Sequence, residues 1–204
     1  MAFNIENFKS NGLLLGGARP SLFEVQLTFP SIVVDGSNIS NSAKFLIKAS
    51  SLPASTLGEI DVSYFGRKIK FAGDRTFDDW SITVINDENF DVKRAFEEWS
   101  NGINTLVSNR LNSEVGKFGG AGINRSYKTD LLVKQYGKSG PGDDAGIIAS
   151  YRIVGAFPTQ ISAITLDWDR NNTIEEFDVR IAYDYWVPEK FKDGKIYSPI
   201  LSSP

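Results

Sequence analysis

Asp167, Asp169 and Asn171 stand at alternate positions, the spacing with which a calcium loop opens, and Glu175 and Asp178 fall at the ninth and twelfth positions of such a loop. The sixth position, where the sharp turn takes Gly, is instead Asn172, and Asp178 stands where a bidentate Glu belongs. Both flanks alternate like strands rather than helices, so the pattern reads as a hairpin turn that holds no metal. Adjacent carboxylates occur at Asp78-Asp79, Glu97-Glu98, Asp143-Asp144 and Glu175-Glu176. A glycosidase needs two carboxylates facing each other across a cleft. Neighbours on a strand point to opposite faces, so these pairs read as solvated surface. Gly119-Gly120-Ala121-Gly122 and Gly137-Lys138-Ser139-Gly140 echo phosphate loops, but neither has the required spacing or lies between a strand and a helix.

The chain of 204 residues has no Cys and no His. No disulfide framework, no zinc site built on those ligands and no Ser-His-Asp or Cys-His nucleophile can be assembled from it. The expectation is a non-enzyme with no cofactor. The net charge is −3, whereas a protein that grips nucleic acid needs a basic surplus to displace counterions from phosphates. No apolar run approaches the roughly 20 residues that span a bilayer. Leu13 to Leu15 is too short a run for a secretory signal, so we expect neither secretion nor a membrane anchor.

The elements that must carry the surface are mostly strands. Phe23, Val25, Leu27 and Phe29 alternate with Glu24, Gln26 and Thr28, and Pro30 stops the run. Residues 31–44 read as a polar loop, and Phe45 to Ala49 as a second strand. Ile60, Val62 and Tyr64 alternate with Glu59, Asp61 and Ser63; Gly66 interrupts, and Lys68 to Phe71 resumes. Ala72 to Arg75 gives a turn signal, after which Trp80, Ile82 and Val84 alternate, so residues 58–86 read as a long hairpin. Asn86 and Asp87 are good helix N-caps, and Val92, Phe96, Trp99 and Ile103 form a helical apolar stripe, which we expect to cover the chain's own core. Strands follow at Leu131 to Tyr136, at Ile147 to Phe157 with Pro158 as the stop, at Ile164 to Trp168, and at Phe177 to Tyr185, closed by Pro188. Residues 1–18 and 188–204 read as arms around a β domain spanning 19–187. The fold class is mainly β, a sandwich or barrel with one packed helix. A charged face opposite an apolar one marks a sheet with one wet side.

The segment GRKIKFAGDRTFDDWSITVINDE, Gly66 to Glu88, resembles the tail tube proteins of T-even-like contractile-tailed phages. ARPSLFEVQL from Ala18, KASSLPAS from Lys48 and LDWDRNNTIEEFDVRIAYDYW from Leu166 resemble the same family, so the likeness runs with gaps from Ala18 to Trp186. It implies a tail-tube β-sandwich with one helix whose strands join a ring-wide barrel. Hexameric rings would stack into a tube inside a contracting sheath, and genomic DNA would pass through the bore without specific binding. The implied partners are further copies of the chain, the tail sheath, and the baseplate and tube-terminator proteins. The implied location is the virion, after assembly in the host cytoplasm. Residues 1–17, 31–44, 103–124 and the stretch after Trp186 are longer than the family pattern.

With about four strands from each subunit, a shared barrel has roughly 24 strands; at about 4.8 Å per strand and a tilt of about 40° its backbone diameter is roughly 48 Å, wide enough for a duplex. Closure removes the sheet edges that invite aggregation. A net acidic chain suits a conduit, because a basic bore would hold the DNA. The hairpin of residues 58–86 is expected to line the bore with Glu59, Asp61 and Ser63 while its apolar face packs inward. Arg67, Lys68, Asp74, Arg75, Asp78 and Asp79, read as charges of its turn, are the candidate contacts between subunits. Other readings are a tube initiator, the tube of a related injection or secretion machine, and a carbohydrate-binding β-sandwich.

Overall fold

The computed structural model describes residues 4–5, 8–12, 16–110, 127–138 and 146–191. One long strand organises it. Nine strands are present among these residues: β1 Phe23–Gln26, β2 Ile47–Ser50, β3 Thr56–Tyr64, β4 Arg67–Thr76, β5 Trp80–Ile85, β6 Thr129–Tyr136, β7 Ile147–Ile161, β8 Glu176–Ala182 and β9 Tyr185–Phe191. The first part of β7 pairs antiparallel with β6 and β9, and β1 extends that sheet beyond β6. From Phe157 to Ile161, β7 pairs with β8, which leads through β5 to β2. A single strand thus belongs to two sheets, and the bend falls at Gly155, where φ is +68°. A Cβ there would stand 2.3 Å from an Asp184 carboxylate oxygen, so both the backbone angle and the space require glycine.

Alternation fills the core as period two demands. Trp80, Ile82 and Val84 of β5 are buried, as are Phe177, Val179 and Ile181 of β8, which they face across the ladder. Val25, Leu131, Val133 and Ile153 line the other sheet. Over this core lies the helix α2, here Asp91–Ile103, and beside it α1, Gly36–Leu46. Val92, Ala95, Phe96 and Trp99 of α2 are all buried, so the stripe covers the chain's own core as expected. Phe29 meets Phe96 edge-on at 5.3 Å and Trp99 at 5.9 Å, and the Trp99 indole donates to the Tyr127 carbonyl at 2.7 Å.

Several expectations change. Residues 36–46 are helix rather than loop: Ile39 and Ala43 are buried on one face, and that burial outweighs the poor helix propensity of the Gly, Ser and Asn around them. The described residues therefore hold two α-helices, besides a short π-helical turn at Phe8–Gly12, where the sequence announced one helix. Helix α2 begins later than Asn86 or Asp87 would cap it; Phe90 precedes it at φ 58° with no side-chain cap. Pro158 and Pro188 lie inside strands, next to register shifts on β7 where a missing donor is tolerated. The run from Phe177 to Tyr185 breaks at Tyr183 and Asp184, opposite the Gly155 bend, and resumes as β9 to Phe191. Ile164 to Trp168 is not strand but part of an irregular connection between β7 and β8. The Gly119 to Gly122 run, Ser139, Gly140, the Asp143-Asp144 pair, residues 13–15 and the tail after 191 lie outside the described residues.

Candidate inter-subunit surface

Strands β3 and β4 form a two-stranded sheet of their own, joined by the two-residue turn Phe65–Gly66. Both turn residues have positive φ, 45° and 80°, which suits the right-handed twist of a tight hairpin. Asn or Gly is favoured at the first of these positions; a Phe held in the left-handed region costs about 1–3 kcal/mol. The expected turn at Ala72 to Arg75 is not a turn: those residues lie within β4, and Phe71 to Lys68 face Ile60 to Ser63. The hairpin is therefore β3 with β4, while β5 belongs to the main sheet. The signal was present in the two alternating runs that meet at Phe65–Gly66.

Register sorts the side chains. Ile60 faces Phe71, Val62 faces Ile69 and Tyr64 faces Arg67, so these six share one face; Glu59, Asp61, Ser63, Lys68, Lys70 and Ala72 share the other. On the polar face Lys68 pairs with Asp61 at 3.3 Å and Lys70 pairs with Glu59. These pairs are exposed and worth little stability, but they leave the face electrically balanced. The apolar face does not pack inward on its own domain: Ile60, Val62, Tyr64, Ile69 and Phe71 remain 45–63% exposed. Among the described residues neither face is covered, and an isolated two-stranded ribbon is marginal in water.

The six charges assigned to the turn are divided. Arg67 and Lys68 sit beside the tip, whereas Asp74 and Arg75 lie at the other end of β4, roughly 20–27 Å away at the rise of a strand. Asp78 and Asp79 follow in the connection to β5. Arg75 donates to Ser55 Oγ at 2.7 Å, bracing the root of the hairpin. That root is tied to the body by aromatic donors: the Trp186 indole reaches the Ala54 carbonyl at 3.0 Å, and the Trp80 indole reaches the Ser51 carbonyl at 2.7 Å. Tyr183 stands nearby, its hydroxyl held above the ordinary value of 10.0 by burial first and then by the Asp78 and Asp79 carboxylates.

A second uncovered apolar surface lies between β7 and β8. Leu166, Trp168 and Ile174 are exposed, Trp168 at 97%. They border a groove of about 570 Å³ that also includes Asp167 and Glu175. Within this connection Asp167 accepts from the Asp169 amide at 3.0 Å, forming a turn. Among the described residues no cluster of three or more acidic side chains could hold a metal ion, and no helix is long and apolar enough to cross a membrane.

Fold and surface define a mainly β, antiparallel two-sheet protein that projects a one-sided apolar hairpin. Residues 18–189 match the family described as phage tail tube protein, and the chain belongs to that family. It is 36% identical over 169 residues to tail tube protein gp19 of Enterobacteria phage T4, covering 83% of this chain and 90% of that protein. The tail tube protein of Serratia phage KSP90 is 24% identical over 175 residues, covering 86% and 90%. Among solved structures, the tube-terminating cap of the anti-feeding prophage superposes with a TM-score of 0.55 at 17% identity, covering 85% of this chain and 91% of that one. The chain is thus a tail tube protein of the kind found in T4-like virions, and the carbohydrate-binding reading, which rested on fold class alone, gives way to it.

Proposed function

We propose that this chain is the repeating, non-catalytic subunit of a contractile tail tube. Hexameric rings stack, the sheath surrounds them, and baseplate and terminator proteins close the ends. The bore conducts genomic DNA without binding it specifically, and assembly takes place in the host cytoplasm. The observation that carries the reading is the bare apolar face of β3 and β4 on a member of the tail tube family. A second copy of the chain is the natural cover for that face. The opposite face, with Glu59, Asp61 and Ser63 answered by Lys68 and Lys70, then turns to the water of the bore. Supporting this, paired charges offer DNA phosphates few free cations. Strands shared between subunits would also leave no exposed sheet edge.

Negative-stain microscopy and sedimentation of the purified protein test the proposal. Rings or tubes are expected to form without cofactor at some concentration, with nucleation on a baseplate where spontaneous growth is slow. A protein that stays monomeric at every concentration and salt, and does not join a baseplate, refutes it.

A further inference from the structure

We infer that the tip of the β3–β4 hairpin is a knob and that the groove between β7 and β8 of a neighbouring copy is its socket. The inference rests on the tube reading and names the receptor that reading leaves open.

The knob is Tyr64 and Phe65, whose rings meet edge-on at 4.6 Å. Phe65 is 90% exposed and occupies a left-handed position that disfavours it. Folding alone explains neither feature, since Asn would turn the chain more easily and cover no less. Arg67, across from Tyr64, puts a cation just behind the rings, while Lys68 on the other face is paired with Asp61. The socket is a concavity bordered by Leu166, Trp168 and Ile174, and its lining is acidic on balance, with the carboxylates of Asp167, Glu175 and Glu176 against the guanidinium of Arg170. Aromatic rings at the centre with opposite charges around them are the composition of an interface anchor and its pocket.

Topology makes the partner a second copy. The hairpin root lies at one end of β8, where Tyr183 meets the Ala54 carbonyl at 3.5 Å, and the groove opens at the other end, before Glu176. Seven residues of strand separate them by roughly 23 Å, and the hairpin lies bare rather than folded back along the sheet. Knob and socket at opposite ends of a subunit join copies head to tail, an interface that propagates into a ring or an open filament instead of closing as a dimer.

The chain has no native Cys, so the contact can be trapped directly. Phe65→Cys protein is mixed with Leu166→Cys protein, assembled and mildly oxidised; Phe65→Cys with Ile174→Cys is a second pair. The control pairs Phe65→Cys with Val107→Cys, a fully exposed position on a different loop. Covalent dimers from either tip–groove pair, and ladders from the Phe65→Cys/Leu166→Cys double variant, are expected, all collapsing under reductant and missing from the control. Tubes of normal appearance that give no cross-link from either pair overturn the inference while leaving the tube reading intact. Failure of the parent protein to assemble at every concentration and salt, and to join a baseplate, refutes the tube reading itself, and the knob and socket with it.

Discussion

The Trp186 indole donates to the Ala54 carbonyl at 3.0 Å, fastening β9 to the segment from which the hairpin leaves the body. The two residues are far apart in the chain, and the contact helps set the direction of the hairpin, together with the Trp80–Ser51 and Arg75–Ser55 hydrogen bonds at the same root. Replacing the indole N–H should remove one hydrogen bond, worth about 0.5–1.5 kcal/mol. Trp186→Phe is expected to lower stability by that amount in denaturant titration and to speed amide exchange in β3 and β4 more than in β5.

Gly155→Ala should cost about 1–3 kcal/mol, because it adds a left-handed angle to a contact with Asp184. The loss is measured as a lower denaturant midpoint with unchanged slope. Should stability match the parent, the bend in β7 does not depend on glycine.

Tyr183 makes the fold sensitive to alkali. Its hydroxyl is raised above 10.0 in the folded chain, so between that value and the folded one the native state holds the proton more tightly. This contribution is complete below pH 10.0 and is lost as pH rises through the folded value. Tyrosinate absorbance should show Tyr183 titrating above 10.0, and Asp78→Asn or Asp79→Asn should bring it down. Titration of Tyr183 at the ordinary value of 10.0 in the parent protein would contradict this.

Arg75 and Asp79 stand at the root of the hairpin, both exposed. Arg75→Glu and Asp79→Lys are each expected to impair tube growth while leaving the monomer's circular dichroism unchanged. Parent-like polymerisation of both variants over a range of salt would remove the root from the joint between subunits.

Calorimetry should find no micromolar calcium affinity at the Asp167 to Asn172 turn. The Asp167 side chain is already engaged by the Asp169 amide, and the position that calcium loops give to glycine is Asn172.

Where the sequence was legible, one strong periodicity acted alone. The alternation at Trp80 to Val84 and the stripe at Val92 to Trp99 each led to the observed element and buried face. Helix α1 was illegible because Ser, Asn and Gly signal loops locally, while the burial of Ile39 and Ala43 that overrides them is tertiary. The hairpin's faces were legible from Glu59 to Tyr64, but its turn was misplaced: Phe65 disguises a turn that Asn would have announced, and Gly73 and Asp74 mimic one inside β4. The β7–β8 groove was missed because Ile164, Leu166 and Trp168 alternate like a strand, yet have no partner strand to pair with.

The course of β7 has a mechanical consequence. The two sheets share a covalent backbone, so a pull on one reaches the other without passing through side-chain packing. The sheets cannot slip past one another unless a row of ladder hydrogen bonds fails at once. Among the described residues, β7 therefore couples the two sheets as one continuous backbone.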